Sequence, residues 1–242
     1  MVCKSKGNII VSKMKVIITG TTGMVGKGVL LECLDHHEVN EVLSISRKPL
    51  GLDHPKLKEL IHYDFSEFES AADQLIGYDA CFACMGVSAA GLNQEDYSKM
   101  TYDFTISLAI TLYKINPNMT FNYVSGQGTD SSENGRTMWA RVKGRTENAL
   151  LAMGFRQAFM FRPGAIIPLR GIQPSSKLYR VLINNLAWLL RLLKRIFPSS
   201  IIDTTQIGLA MIHSVSFGYN KQILNPRDII ILANKGEQIS NP

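Results

Sequence analysis

Acidic residues are missing from a long stretch of this chain: none occurs between Glu147 and Asp203. The same interval carries Arg156, Arg162, Arg170, Lys177, Arg180, Arg191, Lys194 and Arg195, within a net charge of +6 over 242 residues. That asymmetry suits an anionic partner (a nucleotide phosphate, an acidic substrate or a membrane surface) and equally a solvated basic helix. No nucleic-acid partner is expected. Cysteine is scarce: Cys3, Cys33, Cys81 and Cys84 make no disulfide framework in a chain this long. Cys81 and Cys84 form a C-x-x-C, but "DACFACMG" reads as a buried strand, where residues three apart point to opposite faces. No second Cys/His pair completes a metal site, so both are expected in the core and no metal is expected. The opening "MVCKSKGN" lacks the apolar core of a secretory signal. A reducing cytoplasm is the expected compartment. Charged content of 19% beside hydrophobic content of 45% excludes a disordered chain, and the length suits one domain with a real core.

What is present is an alternation. "KVIITG" (15–20), "EVLSISR" (41–47), "KELIHYD" (58–64), "YDACFACMG" (78–86), "TFNYVSG" (120–126) and "QAFMFRPG" (157–164) read as strands. Between them, helical periods run from Gly23, over 67–77, from Asn93 to Ile115, and from Trp139 to a stop at Gly154. Six such repeats predict an α/β fold, a doubly wound parallel sheet of the Rossmann type with right-handed crossovers. A small C-terminal helical part follows, with Asn225 as cap, Pro226 at the first helical position and Gly236 as stop. Residues 1–13 read as an extension and 14–242 as a single domain, with 165–242 contributing a substrate-side lobe.

Ligands of such sheets bind beyond the carboxyl ends of the strands. "TGTTGMVG" puts Gly20, Gly23 and Gly26 between the first strand and the first helix. There glycine permits the tight turn, the approach to a pyrophosphate and the helix–strand packing, while the helix start offers free N–H groups to phosphate. After the second strand an acid would hold a ribose 2′-hydroxyl. This chain has "SRKP", with Arg47 and Lys48, which match a 2′-phosphate and favour NADP over NAD. Asp64 in "HYDF", with Phe65, is placed to meet the adenine.

With "CFACMG", "YVSGQGTDSS", "VKGRTE" and "FRPG" added, the chain from Met14 onward resembles the short-chain dehydrogenase/reductase superfamily. It is most similar to the atypical, NmrA-like branch with the Tat-interacting oxidoreductase-like proteins and nucleoside-diphosphate-sugar epimerases. The resemblance implies that Gly20, Thr22, Gly23, Met24 and Val25 line the pyrophosphate. It implies that Cys84, Met85 and Gly86 pass the nicotinamide ribose, and that Arg162, Pro163 and Gly164 close over the nicotinamide side. Ser125 takes the place of the carbonyl-orienting serine and Lys143 that of the ribose-binding lysine. The departure lies in "TMWARVK", where Trp139 stands at the catalytic tyrosine's position. A phenol beside an ammonium can serve as acid or base. An indole N–H only donates a hydrogen bond. Tyr97 and Tyr102 are the other phenols in reach of the sequence argument.

The expected function is an NADP-binding oxidoreductase or epimerase-like protein with an incomplete catalytic motif. The rival is a catalytically silent NADP(H)-binding regulator acting through a macromolecular partner. "KLYRVLINNLAWLLRLLKRIFP" reads as a basic amphipathic helix bearing Arg180, Arg191 and Arg195, too interrupted to span a bilayer. Packing on its own domain is favoured over lying on an anionic membrane.

Overall fold

A computed structural model describes residues 13–173 and 201–236. The basic helix around Arg191, the extension before Lys13 and Cys3 lie outside the described residues. Seven strands form one sheet in the order β3-β2-β1-β4-β5-β6-β9, every pair parallel. They are β1 (Met14–Thr19), β2 (Val39–Ser46), β3 (Leu57–Ile61), β4 (Ala80–Ala83), β5 (Thr120–Val124), β6 (Gln157–Phe161) and β9 (Ile223–Leu224). The sheet winds outward in both directions from β1 and β4, which makes their shared edge the topological switch point. A separate parallel pair joins β7 (Ala165–Ile167) to β8 (Ile201–Asp203).

Alternation along the strands builds two cores. Val16, Ile18, Phe82, Phe159 and Phe161 face a layer made by α1 (Met24–Asp35), α5 (Thr204–Phe217) and α6 (Pro226–Ala233). Ile17, Leu43, Ile45, Cys81, Phe121, Tyr123 and Met160 face the other layer, where α3 (Phe104–Ile115) and α4 (Met138–Ala152) pack. Cys81 thus lies in one core while Cys84 packs against the other, as strand geometry requires.

The segment expected as a helix over 67–77 is a short 3-10 helix, Glu69–Leu75. The long helix starts where Asn93 caps it, its side chain accepting from the Asp96 N–H at 2.8 Å. It runs as α2 (Gln94–Ser98), one π-helical turn (Lys99–Asp103) and then α3. α6 has the expected Asn225 cap and Pro226 start, but it ends at Ala233, where Asn234 caps it; Gly236 is not its stop. α5 is absent from the sequence expectation. It opens on a capping box, Asp203 with Gln206, and packs so closely on α1 that a Cβ on Gly208 would lie 2.6 Å from the Glu32 side chain. Through α5 and α6, the part of 165–242 that the structure describes completes the body of the sheet domain as well as bordering the site. The remainder of that stretch falls outside the described residues.

The turn from β1 into α1 depends on missing side chains. Gly20 has φ +75°, and a Cβ on Gly26 would sit 2.2 Å from the Gly20 carbonyl oxygen. Gly26→Ala should therefore force the turn apart. Overpacking of this kind costs about 1–3 kcal/mol, read as a lowered Tm in thermal unfolding. An unchanged Tm would mean that the turn is looser than this packing.

Candidate functional site

The carboxyl ends of β1, β4, β5 and β6 open onto a cavity of about 650 Å³. Its floor near the switch point is Gly23, Met24 and Val25, the start of α1. Gly23 is the N-cap and supplies no side-chain hydrogen bond, and α1 has no acid in its first turn. The first-turn N–H groups, which no α-helix can satisfy internally, are thus left for an anion. Behind the turn, Thr21 Oγ1 and Ser44 Oγ lie 2.8 Å apart and fasten it to β2.

Cys84, Met85, Gly86, Ser125, Lys143, Pro163 and Gly164 line the same cavity, so the residues named from sequence for the nicotinamide side do converge. Thr22, Arg47 and Lys48 are exposed, the last two just past β2, where Ser46 Oγ donates to the Lys48 carbonyl at 2.6 Å and shapes the bend. Asp64 is exposed and accepts from Ser66 N and Oγ. Phe65 differs from the expectation of an adenine-facing ring. It is buried among Phe68, Phe104 and His62, so it can offer only backbone to a ligand.

Two further expectations change. Arg162 does not reach over the cavity. Its Nε donates to Glu147 Oε1 at 3.0 Å, and its Nη2 bonds Glu147 Oε2 and Ser131 Oγ. Glu147 is fully buried, and an unpaired carboxylate there would be costly, so the guanidinium is drawn inward. Ser125 Oγ donates to the same carboxylate at 2.5 Å, with the Phe161 carbonyl as a second acceptor at 3.1 Å. A hydroxyl has one proton, and both of these partners only accept. Ser125 is therefore not placed to donate to a carbonyl in the cavity. Glu147 was not singled out from sequence, although a signal existed. It lies at i+4 from Lys143 and i−3 from Leu150, on the buried row of α4, where a carboxylate demands a cation. Gln127, also unforeseen, lines the cavity, and its backbone N–H donates to the Pro163 carbonyl at 2.8 Å.

Trp139 is half-buried and is not among the cavity-lining residues. Its Cη2 lies 3.5 Å from where a Cβ on Gly128 would be, so the indole supports the loop after β5. Neither rival phenol lines the cavity. Tyr97 is in the core, and the Tyr102 ring lies under the Arg145 guanidinium at 4.1 Å.

Lys143 Nζ donates to the Ser125 carbonyl at 2.7 Å and to that of Val124 at 3.3 Å. Burial lowers its pKa from 10.5 to about 8, partly opposed by the Glu147 carboxylate. Between these two values the unfolded chain binds the proton and the folded one does not, so stability should rise as pH climbs from about 8 towards 10.5. Denaturant unfolding across that window should show the rise, and Lys143→Met should flatten it. A fall in stability that Lys143→Met abolishes would reverse the sign.

No protein-family model matches the chain. Among curated proteins, it is 26% identical to rat protein HTATIP2 over 154 residues, covering 63% of this chain and 62% of that protein, a little under two thirds. It is 24% identical over 237 residues to the mitochondrial protein FMP52 of Candida albicans, covering 91% and 99%. Among solved structures, a short chain dehydrogenase family protein from Francisella tularensis superposes with a TM-score of 0.63 at 15% identity, covering 88% of this chain and 96% of that one. The Bordetella bronchiseptica enzyme WbmF, in complex with NAD+, gives 0.66 at 13%, covering 93% and 78%. A UDP-N-acetylglucosamine 4-epimerase from Methanobrevibacter ruminantium gives 0.67 at 17%, covering 88% and 76%. At these identities the solved structures speak for the fold, and the curated relatives speak for the branch. Strand order, glycine turn and relatives agree: the chain has the fold of the short-chain dehydrogenases and is similar to the HTATIP2 and FMP52 proteins, which supports an atypical short-chain dehydrogenase/reductase.

Proposed function

We propose that the cleft binds a nicotinamide dinucleotide, NADP in preference to NAD, and that the protein is an oxidoreductase or a nucleoside-diphosphate-sugar epimerase whose proton step bypasses Trp139. The observation that carries this is the Gly20–Gly26 turn, closed so tightly that neither Gly20 nor Gly26 has room for a Cβ, set against an uncapped helix start at the switch point. A pyrophosphate fits such a cradle. The NAD+ in the related WbmF structure supports the same class of cofactor. Arg47 and Lys48, exposed beyond β2 and in no ion pair among the described residues, support the 2′-phosphate. When bound, the cofactor supplies hydride chemistry. The chain's own residues supply position and charge. Gly23, Met24 and Val25 hold the pyrophosphate, Lys143 holds the ribose, and Met85, Gly86, Pro163 and Gly164 exclude water from the ring.

Proton handling rests on fewer groups. Burial pushes the Cys84 thiol well up, out of use near neutrality. Lys143, lowered to about 8, is the cavity-lining group that changes charge there. The indole at 139 favours a second reading, a silent NADP(H)-binding regulator that contacts another macromolecule. On the compartment, the free thiols Cys33, Cys81 and Cys84 suit a reducing one such as the cytoplasm, while the fungal relatives carry the word mitochondrial in their names. No described helix is long and apolar enough to cross a membrane.

Calorimetric titration should show NADPH binding more tightly than NADH. Arg47→Ala should erase most of the difference, since a charge-assisted contact is worth about 1.5–3 kcal/mol. Equal affinities in the unaltered protein would remove the NADP preference, and no binding of either would remove the dinucleotide reading altogether.

Carbonyl reduction by the unaltered protein should be weak or absent on substrates typical of the superfamily. General acid–base catalysis commonly contributes about 10²–10⁴-fold, so a cavity lined by no phenol should leave turnover slow by about that factor. Vigorous turnover by the unaltered protein would point to another acid and away from the silent regulator.

A further inference from the structure

Two loops wall the cleft beyond β5 and β6: Ser125–Gly128, and Pro163–Gly164, which Arg162 leads into. Ser125 and Arg162 are both bound to one carboxylate. Glu147, wholly buried in α4, accepts from Ser125 Oγ and takes the Arg162 guanidinium on both of its oxygens. The Nη2 that meets Glu147 also donates to Ser131 Oγ at 2.5 Å. Ser131 can stand there because the preceding residue rests directly on α4: a Cβ on Gly144 would lie 1.8 Å from the Asp130 carbonyl oxygen. Backbone bonds from Ser125 to Phe161 and from Gln127 to Pro163 then lock the two loops edge to edge.

A buried ion pair is a poor device for stability alone, because well-packed apolar residues often serve as well or better. What this one provides is direction. It joins the ends of β5, β6 and α4 at a single point and touches neither the glycine turn nor the Arg47 side. We propose that Glu147 is a positioning residue for the nicotinamide half of the cleft: it sets the two loops and leaves the adenosine half to the elements around β1 and β2. The inference rests on the dinucleotide reading above.

The test compares a whole dinucleotide with its own adenosine half. NADP+ or NAD+, whichever the unaltered protein binds more tightly, is titrated calorimetrically beside 2′,5′-ADP or ADP respectively. In Glu147→Gln, Arg162 can only donate and so keeps the amide oxygen. The amide NH2 then meets Ser125 Oγ, and the serine proton passes to the Phe161 carbonyl. The shape survives while the clamp loosens. The dinucleotide should weaken about tenfold, the scale of one lost charge-assisted bond. The adenosine half should stay within about twofold, well under one such bond. Arg162→Lys keeps the charge but loses the fork, and should shift the same ratio in the same direction if Glu147→Gln fails to fold. Equal weakening of both ligands, or of neither, would overturn the positioning role while leaving the dinucleotide reading intact. Binding of neither ligand by the unaltered protein would overturn both.

Discussion

A carboxylate taken fully out of water has to be met by opposite charge, and that requirement organises the carboxyl ends of β5 and β6. Glu147 draws Arg162 inward from the end of β6 and Ser125 from the end of β5. Once those two side chains are committed, the loops that follow them have little choice of path. The two residues that family resemblance assigns to substrate and cofactor are therefore spent on architecture. Lining the cavity beside them are Gln127, Met24, Met85, Lys143 and several glycines. The same carboxylate also faces Lys143, partly opposing the loss of its proton that burial promotes. One group thus shapes both the walls and the charge of the site.

The other half of the cleft obeys a steric rule instead of an electrostatic one. Gly20 and Gly26 bring backbone against backbone, and the helix start comes within reach of a phosphate because nothing intervenes. This division explains how such a fold can keep its glycine turn while the other half of the cleft changes. Glycines that must remain bare constrain the first, and a replaceable constellation of polar side chains defines the second.

Legibility from sequence follows the same division. The parallel sheet was legible because its strands are short β-rich runs closed by glycine or charge, and the cradle was legible because glycines at fixed spacing have a steric meaning. α5 was not, although Asp203 and Gln206 carry a capping-box spacing. Thr204, Ile207, Gly208, Ala210, Met211, Ile212, His213 and Ser214 are all buried, so the helix is enclosed on most of its circumference and shows no clean amphipathic stripe. Ser125 and Arg162 follow their strands as expected, but their side chains turn to Glu147, since a sequence tells which residues end a strand and not where their polar atoms turn. Glu147 decides that turn, and its partner Arg162 is distant in the chain. Phe65 failed for a related reason: the expectation of a ring facing adenine took no account of the aromatic neighbours that enclose it.

The π-helical turn at Lys99–Asp103 has a consequence in helical phase. Along an ideal α-helix each residue advances about 100°, so a stride of four drifts forward by about 40° each time. Tyr97, Thr101 and Thr105 follow one another at that stride and are all buried, ahead of Leu108 and Leu112. A wider turn advances less per residue and absorbs the drift. The segment therefore keeps buried positions before and after the wide turn. Removing a single residue there would not shorten a loop; it would rotate half of a helix against the sheet.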